Sequence, residues 1–230
     1  MSYQSIILLV VALSNLFLGI FIYFRNTKSP INFYFLLMVL CASLWNFCLL
    51  GYSLNLDSQY IRTILIQIIY VCVLLVGFYY FIFCYHFPYR SFNMPKGIFP
   101  ALYVFVLLYS LLISLKWDHL FSYIPENSTN DIINFPNYLV FSIIFGLFFI
   151  IGFIMLFKKY LYIDGVYKKQ LKYVLWGTGL SFVLASAFNL IPDESNSWSL
   201  YWVGPVFTII NAGVIASLIF FTNFKIKIVR

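Results

Sequence analysis

The side chains that could do chemistry in this sequence are few and lie far apart. The two histidines, His86 and His119, fall on opposite faces of a membrane if the apolar runs around them span it. No serine or cysteine stands beside a histidine and an acid on one face, and no apolar run carries paired carboxylates. Ionisable residues inside a membrane normally mark catalysis or an ion pathway. Their scarcity predicts that the chain is neither an enzyme nor a proton pump, with no catalytic residue to name.

Amides are the main polar side chains inside the apolar runs. They are Asn15, Asn46, Gln67, Asn189 and Asn211. One interpretation is that each amide bridges neighbouring helices, a bond that contributes about 0.6 kcal/mol on average in a membrane bundle. The other is that some of them line a ligand pocket open toward the outer leaflet. We favour packing for any single amide, because most such residues serve it.

Aromatic residues lie near the same depth as these amides. They are Trp45, Tyr52, Tyr70, Trp198, Tyr201 and Trp202. A belt of rings at the membrane interface is the simpler interpretation. A small-molecule site is usually an apolar pocket with a few polar groups, and the combined set also fits that description. The candidate ligand-binding residues are therefore Trp45, Asn46, Gln67, Tyr70, Asn189, Trp202 and Asn211.

Seven apolar runs must position these residues. The 230 residues are 63% hydrophobic and 9% charged, with a mean hydropathy of +0.94, which indicates an integral membrane protein. The runs lie near Ile6–Phe24, Ile31–Tyr52, Thr63–Tyr85, Ile98–Leu115, Tyr138–Phe157, Leu171–Leu190 and Leu200–Phe221. Each approaches the roughly 20 residues that cross a bilayer as a helix. The sequence thus predicts an all-α membrane protein, a seven-transmembrane-helix bundle that forms one domain over residues 1–230.

Lysine and arginine give these runs a direction. Twelve of the 14 basic residues fall on one side, and Arg62 and Lys116 fall on the other. The twelve are Arg25, Lys28, Arg90, Lys96, Lys158, Lys159, Lys168, Lys169, Lys172, Lys225, Lys227 and Arg230. Because short cytoplasmic loops carry the excess of positive charge, we predict an outer N-terminus and a cytoplasmic C-terminus.

The net charge of +7 belongs at the anionic inner surface of a membrane. No basic face is long enough to suggest a nucleic-acid partner. The loop between the fifth and sixth runs holds Lys158, Lys159, Lys168, Lys169 and Lys172. We interpret all five as topology determinants and contacts with lipid headgroups.

The cysteines, prolines and glycines give weaker indications of function than the basic residues do. The four cysteines all fall within apolar runs, so we expect no disulfide in an outer loop, and no Cys/His spacing suggests a metal or another cofactor. Pro205 lies early in the last run and removes a backbone donor, so it could kink that helix. Gly177, Gly179 and Gly213 could permit close contacts between helices.

Three segments carry a further signal. The first is NLFLGIFIYFRNTKSPINFYFLLMVLCASLW, with Asn15, Gly19, Arg25, Ser29, Pro30, Asn32 and Trp45. The second combines Gln67 and Tyr70 with the run FYYFIFCYHFPYR, and the third is YKKQLKYVLWG followed by Asn189, Pro192 and Gly204-Pro205. In order, loop length and sidedness, these segments resemble the N-terminal seven-helix sensor region of bacterial membrane histidine kinases over nearly the whole chain.

The resemblance implies a receptor module of a two-component system in the bacterial cytoplasmic membrane, which receives a small-molecule or lipid-like signal. Its last helix, with Pro205, Lys225, Lys227 and Arg230 as candidate signal-output residues, would drive a cytoplasmic output domain, usually in a homodimer. In the family, a phosphoacceptor helix and an ATP-binding domain follow the sensor. We expect no soluble output domain within residues 1–230, and a kinase activity only in a domain or partner outside them.

Two other functions stay open at this point. Seven helices with an outer N-terminus also describe small solute transporters built from two three-helix repeats and a linker helix, although no internal repeat is visible here. The second is a structural membrane subunit that stabilises another protein. Solute flux in proteoliposomes would favour the transporter, whereas purification with a stoichiometric partner would favour the structural subunit.

Overall fold

The computed structural model describes residues 3–54, 59–90, 92–115, 122–123, 132–133, 135–189 and 203–221. Within them lie seven helices, α1 (Tyr3–Arg25), α2 (Pro30–Ser53), α3 (Gln59–His86), α4 (Ile98–Leu115), α5 (Phe135–Tyr162), α6 (Val166–Asn189) and α7 (Val203–Phe221). A short antiparallel pair, β1 (Ser122–Tyr123) and β2 (Ile132–Ile133), precedes α5. The predicted helical bundle is confirmed, and the two-residue strands are an addition that the sequence did not indicate.

The helices follow the apolar runs closely. Helices α1 to α5 are each long and apolar enough to cross a membrane, and α7 contains a shorter apolar part, Val206–Leu218. In α6, several lysines in the first turns dilute the apolar character. Helix α5 continues past the predicted end at Phe157 as far as Tyr162, so Lys158 and Lys159 are helical rather than part of a loop.

Six of the described helices form a ring. Helix α1 packs against α2 and α7, α2 against α3, α3 against α5, and α6 against both α5 and α7. Helix α4 lies outside this ring and packs chiefly on α3, so that Val106 and Ile113 are its buried residues. The ring is the part of the bundle that can hold a site between helices.

Apolar side chains fill the ring and let some helices approach closely. The largest cluster draws on all six ring helices and includes Phe35, Phe83 and Leu156, each with 0% of its surface exposed. A Cβ at Gly19 would overlap Val39 Cγ2, so any larger residue would need Val39 to shift where α1 meets α2. Such close packing supplies most of the attraction between helices in lipid.

The turn between α1 and α2 is closed by a local amide. Asn32, buried in the first turn of α2, donates from Nδ2 to the Ile22 oxygen at 2.9 Å and to the Asn26 oxygen at 3.3 Å. The last four carbonyls of a helix lack intrahelical donors, and Ile22 belongs to that group in α1. Pro30 begins α2, a position where its missing N–H costs no helical hydrogen bond.

Candidate functional site

A hydrogen bond between α1 and α7 lies within the ring. Asn15 has 0% of its surface exposed, and its Nδ2 donates to Thr208 Oγ1 at 3.0 Å. The Thr208 hydroxyl in turn donates to the Pro205 oxygen at 2.6 Å, within α7. The hydroxyl therefore accepts from one helix and donates to its own, which fixes its orientation.

A second hydrogen bond ties α7 to α6. Thr178 Oγ1 is buried and donates to Asn211 Oδ1 at 2.9 Å. Asn211 lies three residues after Thr208, so the two side chains occupy neighbouring turns on one side of α7. Neutral bonds about one turn apart thus join α7 to α1 and to α6.

A third polar group lies where α1 meets α2. Ser43 Oγ donates to the Ala12 oxygen at 2.8 Å, across the two helices. Asn46, one turn further along α2, is fully buried, but its Nδ2 donates at 2.7 Å to the Ala42 oxygen of its own helix. Asn46 is therefore not the bridge between helices that the simpler interpretation of the amides expects.

Two buried amide oxygens near this position are unsatisfied. Neither Asn15 Oδ1 nor Asn46 Oδ1 has a hydrogen-bond partner in the described part of the chain. A buried acceptor without a donor costs about 1–3 kcal/mol, so native proteins rarely keep one without a reason. Each of these two oxygens could accept a hydrogen bond from an N–H or O–H of a bound molecule.

The aromatic candidates separate into different clusters. Trp45 is 7% exposed and packs with Leu49 and Cys72, so it does not occupy a lipid-facing belt. Tyr70 on α3 faces α5, where its ring centroid lies 4.9 Å from that of Phe141 and 6.3 Å from that of Tyr138. The structure therefore does not gather Trp45 and Tyr70 into one group, and Gln67 is half-buried on α3.

Several predicted residues fall outside the described structure. Trp202, Lys225, Lys227 and Arg230 lie there, and Asn189 is described only as the last residue of the α6 backbone. Pro205 is described, and it lies in the first turn of α7. A residue in the first turn has no intrahelical partner for its N–H, so Pro205 removes no helical bond. A kink at Pro205 stays a prediction.

One of the basic residues is also placed differently from the prediction. Lys158 is exposed, as a headgroup contact would be, whereas its neighbour Lys159 is 2% exposed and contacts backbone oxygens near the end of α3. Among the glycines, Gly177 meets α7, because a Cβ there would lie 3.1 Å from Val214 Cγ1. A Cβ at Gly213, in contrast, would have open space around it.

A groove of about 490 Å³ opens elsewhere, along the second half of α1. Its described lining consists of Phe17, Ile20, Phe21, Phe24 and Arg25. None of the candidate ligand-binding residues belongs to it. Asn15 and Asn46 are buried, so a ligand would have to enter between helices to reach their oxygens.

Comparison with known protein families identifies the class of protein that this chain resembles. The model of the N-terminal 7TM region of histidine kinase matches residues 7–226, which is almost the entire chain. No curated protein matches the sequence.

Proposed function

The chain belongs to the N-terminal seven-transmembrane region of histidine kinases, and from this premise we propose that it detects a small-molecule or membrane cue and passes it through α7. That region of a histidine kinase is sensory, and the phosphotransfer chemistry belongs to another part of the kinase. The output in this proposal is a cytoplasmic kinase domain, and two copies of the sensor work as a homodimer in a bacterial cytoplasmic membrane. The asymmetry of basic residues supports an outer N-terminus and a cytoplasmic exit of α7.

The attachment of α7 is the observation that carries this proposal. The polar bonds that hold it to its neighbours include Asn15–Thr208 and Thr178–Asn211. Neutral bonds of this kind contribute about 0.6 kcal/mol on average and at most about 1.7 kcal/mol within a membrane. A cue shifts a two-state equilibrium only by its difference in affinity for the two states. The polar part of the attachment of α7 is therefore small enough for a modest difference in the affinity of the cue to offset it.

The chemistry of the cue follows from the unsatisfied oxygens. Asn15 Oδ1 and Asn46 Oδ1 can accept a hydrogen bond but cannot donate one, and apolar side chains such as Leu8 and Trp45 are buried in the same part of the bundle. We therefore assign an amphipathic cue that brings an N–H or O–H donor into the bundle. Binding at Asn15 Oδ1 would act on α7 directly, because Nδ2 of the same amide donates to Thr208 of α7.

A chimaera in proteoliposomes tests the proposal. The chain is fused to a histidine kinase catalytic region, and basal autophosphorylation is compared between the parent, Thr208→Val and Ser217→Ala. Loss of the Asn15–Thr208 bond should change the basal rate by about 3-fold to 20-fold, the range that corresponds to about 0.6–1.7 kcal/mol. Ser217 bonds only within α7, to the Val214 oxygen, and is exposed, so its replacement should leave the rate within about twofold. Equal rates in all three proteins would contradict a relay through α7.

A further inference from the structure

The C-terminal end of α3 is closed by a lysine from another helix. Lys159 of α5 donates from Nζ to the backbone oxygens of Cys84 and Tyr85, each at 2.9 Å. It also donates to those of Phe87 at 2.6 Å and Tyr89 at 2.8 Å. We call these four oxygens the carbonyl cage. An ammonium group has three N–H donors, so four oxygens at these distances saturate it.

The cage consists of oxygens for which the backbone provides few donors. Cys84 and Tyr85 are among the last four residues of α3, whose carbonyls have no intrahelical N–H. Phe87 and Tyr89 follow in a turn that contains Pro88, which has no N–H and is joined to Phe87 by a cis peptide bond. One side chain therefore serves both the helix end and the turn.

The charge on Lys159 is balanced without a carboxylate. In the described residues, the one ion pair joins Lys168 to Asp164, and both side chains are substantially exposed. A helix C-terminus carries about half an elementary negative charge, which favours a cation at the end of α3. The ring centroids of Tyr89 and Phe92 lie 5.8 and 5.9 Å from Nζ and add cation–π attraction. Separation of α3 from α5 would leave this buried ammonium without any of these partners.

We infer that Lys159 is a positioning residue that joins the end of α3, the turn at residues 87–90 and α5 into one body. The inference does not depend on α7 being the output helix. It rests on the burial of Lys159, its four backbone partners and the absence of a carboxylate beside it among the described residues.

Cys84 offers a native probe of this joint. Its side chain has 0% exposure, and its Sγ faces α5, since a Cβ at Gly152 would lie 3.3 Å from it. Cys72 is also buried on α3, but it lies 12 residues earlier, about 18 Å along the helix. Opening of α3 from α5 at the carbonyl cage should therefore uncover Cys84 and leave Cys72 covered.

The test measures alkylation of each cysteine by N-ethylmaleimide, resolved by peptide mass spectrometry, in the full chain in detergent well below its melting temperature. The variants are Lys159→Ala and Lys159→Met, and the matched controls are Lys158→Ala and Lys158→Met at the exposed neighbouring position. We expect both Lys159 variants to raise the Cys84 rate at least about tenfold, since hydrogen bonds to a charged group are lost. The rates at Cys48 and Cys72 should stay within about twofold, as should all rates in the Lys158 variants.

Each other result would overturn the inference. An unchanged Cys84 rate would show that Lys159 does not hold the joint. A parallel rise at Cys48, Cys72 and Cys84 would show general loosening rather than a local joint. Recovery of the parent rate in Lys159→Met would assign the effect to packing of the aliphatic stem instead of the ammonium. Failure of both Lys159 variants to accumulate, while both Lys158 variants do, would indicate a general folding requirement.

Discussion

Two parts of the ring are held by different kinds of hydrogen bond. One is α7, and the other is the joint between α3 and α5. Two neutral side-chain bonds of 3.0 and 2.9 Å connect α7 to α1 and α6. Four bonds of 2.6 to 2.9 Å from the Lys159 ammonium connect α5 to α3. Hydrogen bonds with an ionised donor are roughly twice as strong as neutral ones. The comparison indicates that the same bundle can contain a firmly joined pair of helices, α3 and α5, and a more weakly bonded helix, α7, that a cue can shift.

The largest expected effect tests the firm side of this comparison. Lys159→Met keeps the aliphatic stem but leaves four carbonyls without their donor, so the free energy of unfolding should fall by about 2–4 kcal/mol. Denaturant titration of the purified chain in detergent measures the change. A loss no greater than that of a surface substitution would mean that the carbonyl cage contributes little to stability.

The next effect tests the loosely held side. Thr208→Val and Thr178→Val each remove one hydroxyl with little change in volume, and each leaves an amide of Asn15 or Asn211 without its partner. Together they should change basal autophosphorylation of the kinase chimaera by about 10-fold or more, if each bond contributes about 0.6–1.7 kcal/mol. Because the bonds lie on neighbouring turns of α7, their effects should not be strictly additive. A double variant that behaves as the parent would place the control of α7 elsewhere.

Replacement of Asn46 should change the free energy of unfolding only slightly but should change the response to a cue more. Asn46→Leu preserves the side-chain size and removes the unsatisfied Oδ1, so the free energy of unfolding should change by less than about 1 kcal/mol. The response of the chimaera to an amphipathic donor-bearing cue should fall, as measured by the shift in half-maximal dose. Gln67→Ala provides a comparison on α3, and an unaltered dose response in both variants would argue against a site at these amides.

The smallest effect belongs to the control beside the carbonyl cage. Lys158 is exposed on α5, so Lys158→Met should change the free energy of unfolding by no more than about 0.5 kcal/mol. The same titration measures it. A destabilisation as large as that of Lys159→Met would show that the pair of lysines acts through the charge of α5 as a whole, and the contrast between the two positions would disappear.

The sequence predicts the helices well because each apolar run is long and few turns interrupt it. It also identifies Asn15 and Asn211 as polar groups within the bundle, since amides stand out within apolar runs. Their partners Thr208 and Thr178 carry no such signal, because hydroxyl residues are common in membrane helices and their face depends on packing.

Lys158 and Lys159 show more clearly what the sequence cannot predict. The two residues look alike in sequence, but neighbours in an α-helix point about 100° apart, and only the packing of α5 on α3 decides which one is buried. The partners of Lys159 are backbone oxygens, which have no residue type that a pattern could reveal. Helix α5 also continues past its predicted end, and this extension is what brings Lys159 to the end of α3.

Distances between spin labels test most directly whether α7 moves against a fixed α3–α5 body. One pair joins the exposed positions Phe17 on α1 and Ile210 on α7, and the other joins Arg90 after α3 to Leu161 on α5, with the native cysteines replaced by alanine. Electron–electron distances are compared between the parent and the Thr178→Val/Thr208→Val variant. We predict that the first distance shifts by about 1–2 Å or more, as helix movements in signalling proteins do, while the second stays constant. A shift confined to the Arg90–Leu161 pair would contradict the account.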